Sequence, residues 1–285
     1  MGMKASNAIA TFFKYLVLIL VGLIMIYPLL WMVSATFKDN SEIFAGISLW
    51  IKKPTLDGYR NALNNFGGSI NILQAMLNTY SYVIPKVICT VVSACIAAYG
   101  FGRFDFPGRK ILFSIMLATL FLPQVVLNVP QFLLYTKFGW VNSPFYLAIW
   151  VHTAFATETY FVYQLVQFMR NVPRDLDEAA AIDGCNSFQT LYKVIVPMLM
   201  PALVSCALFQ FMWSCNDFMG PLLYVQTPAK YPMSLFVKLS MDGDTGFAWN
   251  KILALSLISI LPQLIVFFCA QDQFVEGISA GAVKG

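Results

Sequence analysis

The chain has 285 residues, 59% hydrophobic and 11% charged, with a formal net charge of +4. A soluble domain has roughly a quarter of its residues charged, so this chain cannot cover a water-facing globule with polar surface, and its scattered basic residues form no stripe for a nucleic acid. Six cysteines (Cys89, Cys95, Cys185, Cys206, Cys215, Cys269) fall mostly in apolar runs with no C-x-x-C pair, which reads as small core hydrophobes rather than a metal site or a disulfide framework.

The apolar residues come in long runs rather than at a 3.6-residue period, so lipid is their natural solvent. A bilayer core about 30 Å thick takes roughly 20 residues of helix rising about 1.5 Å each. The first run, 15–37, contains no charge and is followed by no small-residue cleavage site, so it is expected to be an uncleaved span. Further spans are expected at 78–102, 111–135, 144–169, 198–224 and 252–271, six in all. Because lipid offers the backbone no hydrogen-bond partners, spans are helices or closed barrels, and these runs are too long and too uniformly apolar for barrel strands. The expected fold is all-α, a polytopic membrane protein in a single domain over 1–285. The connections are unequal: 38–77, 103–110, 136–143, 170–197 and 220–251, with a C-terminal tail over 272–285. Lys and Arg divide nine and nine when both termini lie inside, so the charge count leaves orientation open, although 103–110 concentrates three of them.

The connection 170–197 is the most polar part of the second half. Pro173 suits a first helical turn, Asp175, Asp177 and Glu178 favour a helix N-terminus, and Gly184 can take the left-handed conformation that ends a helix. A short helix over 173–183 follows. Ser187 can cap a second helix, on which Phe188, Leu191, Tyr192 and Ile195 share one face. Two short helices meeting at a glycine corner make an elbow anchored by spans at both ends.

Glu178-Ala179-Ala180, three residues, Gly184, nine residues and then Val194-Ile195-Val196-Pro197 resembles the EAA loop of ABC importer permeases. Val194 and Val196 stand where that pattern usually has Ile and Leu. The likeness covers nearly the whole chain and narrows to the MalG-like carbohydrate permeases. It takes in Asn78-Thr79, Ala97 to Phe104, Pro123 with Pro130, Trp213 to Phe218, and the tail from Val275 to Gly285. The resemblance implies the type I ABC importer permease fold in a bacterial inner membrane, with the loop and both termini cytoplasmic. It implies that the loop is the coupling helix docking on an ATPase, with Glu178 and Asp183 as polar contacts, Ala179 and Ala180 as small packing surface, Gly184 as the turn and Pro197 at its close. The implied partners are a second permease subunit in a heterodimer, a homodimeric or heterodimeric cytoplasmic ATPase, an extracytoplasmic solute-binding protein, an oligosaccharide and membrane lipid. No G-x-x-x-x-G-K-[ST] loop occurs, so nucleotide chemistry belongs elsewhere. The chain is expected to be no enzyme, with no cofactor of its own and ATP and Mg on the partner ATPase subunits.

Polar groups within the spans are the candidates for a substrate path, since an intramembrane charge costs about 2.5 kcal/mol or more without a partner or a wet cavity. Pro123, Gln124 and Pro130 should kink or break the third span, in a gate or as a plain kink. Glu158, near the middle of the fourth span, either bonds sugar hydroxyls or pairs with the neighbouring subunit. Gln210, Trp213 and Asn216 combine an aromatic face with amides, suiting a sugar or an interhelical hydrogen bond with an interfacial ring. Asp217 either meets substrate or caps its helix. His152, without a matching ligand set, reads as a hydrogen-bonded core residue. Ser93 with Ala97 and Ala94 with Ala98 let helices approach closely.

Three alternatives compete. An ion-coupled secondary transporter should show inverted repeats and paired broken helices, which the sequence lacks. An intramembrane enzyme using Glu158 and His152 would need groups that lie about 240° apart on one helix to converge. A permease for amino acids, peptides or another non-sugar solute would keep the same loop.

Overall fold

The computed structural model describes residues 2–64, 70–241 and 248–282. Outside them lie Met1, 65–69, 242–247 and 283–285, which include parts of the connections 38–77 and 220–251 and the end of the expected tail, with Lys284 and Gly285.

The elements are helical, as lipid demands of a chain that must satisfy its own backbone. Helix α1 (Gly2–Ala35) carries a 26-residue apolar stretch, Ala10–Ala35, with side chains such as Ile24 and Met25 left open to lipid. Helix α2 (Ile72–Arg103) is capped by Asn71, whose side chain accepts from the Gln74 amide, and places Arg103 in its last turn, where the negative end of the helix dipole favours a cation.

The third run is two helices, α3 (Arg109–Thr119) and α4 (Gln124–Lys137), bent by 99°. Pro123 is the cause, because its ring disfavours helical geometry at Leu122 before it. The expected interruption therefore falls at Pro123, while Pro130 is carried inside α4.

The fourth run, 144–169, is not one helix. It comprises a turn of helix at Leu147–Trp150, a 3-10 stretch at Val151–Phe155 and helix α5 (Thr159–Met169). Tyr146 and Ala156 flank the irregular part at φ 54° and 55°, a left-handed conformation that costs an ordinary residue about 1–2 kcal/mol. Side chains take over the freed backbone groups: Ser143 Oγ accepts from the Leu147 amide at 2.9 Å, and Thr157 Oγ1 donates to His152 O at 3.0 Å.

The elbow follows as α6 (Asp175–Ile182), a short helix at Ser187–Thr190, a π turn at Leu191–Ile195 and a last turn at Val196–Met198. Helix α7 (Met200–Cys215) then leaves at 80° to the segment before it, with prolines at 197 and 201 on either side of the bend removing backbone donors. The fifth run does not continue to 224. It stops at Cys215 and restarts as a separate turn, Met219–Tyr224. Helix α8 (Trp249–Ala282) closes the chain.

Three of these helices, α1, α2 and α8, are long and apolar enough to cross a membrane, and five spans result if each bent pair counts as one. The run 144–169 is not among them, because its break leaves no single helix of sufficient length.

The chain forms two compact units. In the one holding 1–66 and 237–260, Asn40 Oδ1 accepts from the Asn250 amide at 3.0 Å and Phe44 meets Trp249 edge to face at 5.3 Å. Gly58 lies so close that a Cβ there would be 2.7 Å from Asn250 O. In the other unit, α2 packs between α5 and α7. Lipid is as apolar as leucine, so close fit rather than transfer from water favours this packing, and the fully buried Ala94 and Ala98 supply it within the chain. Cys95 and Cys206 fill the same core as free thiols.

Candidate functional site

Two places in the second unit concentrate chemistry: a polar cavity and the elbow.

The cavity, of about 200 Å³, brings together Gln124, Glu158 and Asp217 from three runs well separated in sequence. Helix α4 contributes Gln124, Asn128 and Gln131 as a polar stripe, and Gln124 Nε2 donates to Gln131 Oε1 at 3.2 Å. Glu158 stands at the start of α5, immediately after the break, rather than in mid-helix as its position in the run suggests. Among the described residues its carboxylate accepts no hydrogen bond and forms no ion pair, so it is free to face the cavity. Asp217 lies in the gap after α7 and serves the fold: Oδ1 accepts from the Gly220 amide at 3.0 Å, and its carbonyl accepts from Ser234 Oγ at 2.8 Å.

Sequence reasoning passed over Lys86, Asn128 and Gln131, which share this lining with Tyr135 and Tyr224. The signal was present: Lys86 is a charge inside the expected second span, and 124, 128 and 131 have helical spacing. His152 also borders the cavity and stacks on Tyr135 at 6.4 Å between ring centroids. Glu158 and His152 reach one cavity despite their separation on an ideal α-helix, because a 3-10 stretch and a turn, not one continuous α-helix, join them.

Gln210, Trp213 and Asn216 do not border it. Gln210 is 2% exposed and donates to Ser214 Oγ at 3.3 Å. Trp213 stays half exposed against Phe161, at 5.2 Å, and Tyr160, at 5.4 Å. Asn216 Nδ2 donates to Met212 O at 2.8 Å and to Gln263 Oε1 at 3.0 Å, an interhelical bond to α8. Pairing of this kind is what a polar group in lipid requires.

At the elbow, Gly184 adopts φ 81°. The Cys185 amide bonds back to Ala180 O at 2.9 Å and the Gly184 amide to Ala181 O at 3.1 Å, a paired closure that satisfies the last carbonyls of α6. The cap of the next helix is Asn186, not Ser187: Asn186 Oδ1 accepts from the Gln189 amide and Gln189 Oε1 accepts from the Asn186 amide, both at 2.9 Å. An amide fits this reciprocal box, and Ser187 falls one residue inside. The expected apolar stripe divides along its length. Leu191 and Ile195 are buried in the core, whereas Phe188 and Tyr192 are 71% and 69% exposed, because the stripe is wider than the contact that covers it. Ala180 is buried, while Glu178, Ala179, Asp183, Gly184 and Pro197 are exposed.

A link absent from the sequence reading holds the elbow in place. Arg103, at the end of α2, lies 3.3 Å from Asp177 on α6 and donates to Val172 O at 3.1 Å.

Residues 90–276 match the family described as "Binding-protein-dependent transport system inner membrane component". The chain is 34% identical over 226 residues to the osmoprotective compounds uptake permease protein GgtD of Synechocystis sp., covering 78% of this chain and 75% of that protein. It is 30% identical over 267 residues to the trehalose/maltose transport system permease protein MalG of Thermococcus litoralis, covering 94% of each. Its fold matches, with a TM-score of 0.78 and 20% identity over 94% of this chain and 98% of the other, a crystal structure of a bacterial ABC transporter involved in the import of the acidic polysaccharide alginate.

Proposed function

The chain belongs to the family of binding-protein-dependent transport system inner membrane components, and from that premise we propose that it forms half of an oligosaccharide path whose opening is driven by an ATPase docked on the elbow 170–197. It is a membrane-embedded permease subunit of an ABC importer and not an enzyme; hydrolysis belongs to a separate subunit in such systems.

The observation that carries the coupling reading is the elbow itself. It exposes Glu178, Ala179 and Asp183 beside the uncovered apolar groups Ile182, Phe188 and Tyr192, a mixed rim suited to a protein cleft. Glu178 and Asp183 serve as polar contacts, Ala179 lets the partner approach, Ala180 packs inward, Gly184 makes the corner and Pro197 closes the segment. On this reading the chain is one membrane domain over 1–285 that crosses six times. The fourth crossing is the broken segment 144–169, and the elbow and both termini lie in the cytoplasm. The partners are a second permease, an ATPase pair holding ATP and Mg, and a solute-binding protein on the outer side.

The cargo reading is supported by the relative named for trehalose and maltose, which aligns along nearly the whole chain, and by the cavity, whose amides, carboxylates and tyrosines suit a polyhydroxylated ligand. Gln124 and Glu158 are its path residues, with Lys86, Asn128 and Gln131 added, while Asp217 borders the path and holds the turn at Gly220. Gln210, Trp213 and Asn216 support the helices that frame it. The test is uptake into proteoliposomes holding both permeases, the ATPases and the loaded binding protein. Trehalose, maltose or a longer oligosaccharide should accumulate only when ATP is supplied. Accumulation of glycine betaine with none of any sugar would replace the sugar reading with one of small compatible solutes.

A further inference from the structure

We propose that Arg103 is a positioning residue that clamps the elbow to α2 and makes that helix the lever carrying elbow movement to the cavity. The proposal rests on the reading that an ATPase acts on the elbow.

One guanidinium holds two separate points. Nη2 donates to Val172 O at 3.1 Å, where the chain enters the elbow, and Nε lies 3.3 Å from Asp177 Oδ2, on α6 itself. The two side chains are 7% and 24% exposed, so water and salt compete weakly with the pair. Nη2 holds its acceptor by a directed hydrogen bond, while Nε meets Asp177 as a close charge pair without one, so a single guanidinium serves both points where a lysine ammonium is one point charge. If α6 moved without α2, a nearly buried cation would lose its counter-charge, a change that strongly opposes separation. Elbow and helix end therefore move together.

Helix α2 carries Pro85 inside it, but its stretch from Lys86 to Arg103 holds no proline and runs about 26 Å at about 1.5 Å per residue. Along it, Ser93 Oγ donates to Thr153 O at 2.7 Å in the broken fourth run, and Lys86 lines the cavity. The same rod thus touches the elbow, the strained segment preceding Glu158 and the cavity wall. A push at Asp177 reaches all three without any change in the rod.

The test uses the complete complex of both permeases, ATPases and binding protein, with Leu223→Cys in the cavity lining as a reporter and Ser187→Cys, on the exposed side of the elbow, as a crosslinking handle. The reporter's reaction rate with a water-soluble thiol reagent, corrected for the native cysteines, is compared with and without ATP plus vanadate. The unaltered clamp should give a change of fivefold or more. Arg103→Gln should crosslink to the ATPase and hydrolyse ATP, yet give a change below twofold, and adding Asp177→Asn should make matters no worse. A merely stabilising ion pair would lower the amount of complex and leave the response per complex intact; that result, or a full response in Arg103→Gln, overturns the clamp. Should Arg103→Gln fail to assemble, Asp177→Asn alone, which keeps the bond to Val172, carries the same comparison. A missing crosslink at 187 in the complex with Arg103 intact overturns the elbow reading and the clamp with it, whereas a crosslink without any ATP response at 223 overturns the lever alone.

Discussion

Glu158 and Asp217 are both carboxylates on one cavity wall, yet their surroundings assign them opposite duties. Asp217 is engaged at Oδ1 by the Gly220 amide, and a Cβ on Gly220 would sit 2.5 Å from its other oxygen, so this turn is built around the acid. Asp217→Ala removes a cap worth about 1 kcal/mol and should lower the melting temperature of the purified complex. Glu158 holds no such bond, and an unpaired intramembrane charge is costly, about 2.5 kcal/mol or more on insertion scales. Glu158→Gln should therefore leave the melting temperature unchanged or raise it, while raising the KM for uptake several-fold. If Glu158→Gln destabilised as Asp217→Ala does and left KM alone, Glu158 would be structural and the path would have to be drawn elsewhere.

Breaks define the elements of this chain more than spans do. The break at Pro123 was legible, because a proline dictates the geometry of the residue before it. The break before Glu158 was not: no glycine or proline occurs between 145 and 158, and the turn depends on Tyr146 and Ala156 held left-handed by the fold around them. The elbow's corner could be read from Gly184, and its helix at 175–182 fell within two residues of expectation at the N-terminus. Its second cap could not be settled by residue type alone, because Asn186 and Ser187 are both good caps and only the reciprocal partner Gln189 decides. Asn186→Ala should cost about 1 kcal/mol and lower the thermal stability of the elbow, whereas Ser187→Ala should cost nearly nothing. Protection of the amides at 187–190 in hydrogen exchange measures both; equal loss in the two variants would contradict the assignment.

At the scale of the whole molecule, composition alone placed the chain in a membrane, and the loop 170–197 pointed to the family that the relatives then established. What the sequence hid were contacts between distant segments. Gln124, Glu158 and Asp217 meet across three runs, and Arg103 meets Asp177 although nothing in either stretch marks the other as its partner. Such pairings follow from how α2, α5 and α7 pack, and small residues such as Ala94 and Ala98 announce close packing without naming what packs against them. On the proposed coupling, a rigid corner receives a push and a long helix delivers it to a polar cavity. Gly184 is the point at which that account is most exposed, since φ 81° suits glycine and is strained for a β-branched residue, while open space around it removes steric clash as an alternative cause. The decisive measurement is ATP-driven uptake by the reconstituted importer carrying Gly184→Val, normalised to the amount of assembled complex. Uptake should fall below a tenth of the parent's while the permease pair still assembles in the membrane; full uptake by the assembled variant would contradict the elbow as the place where force enters.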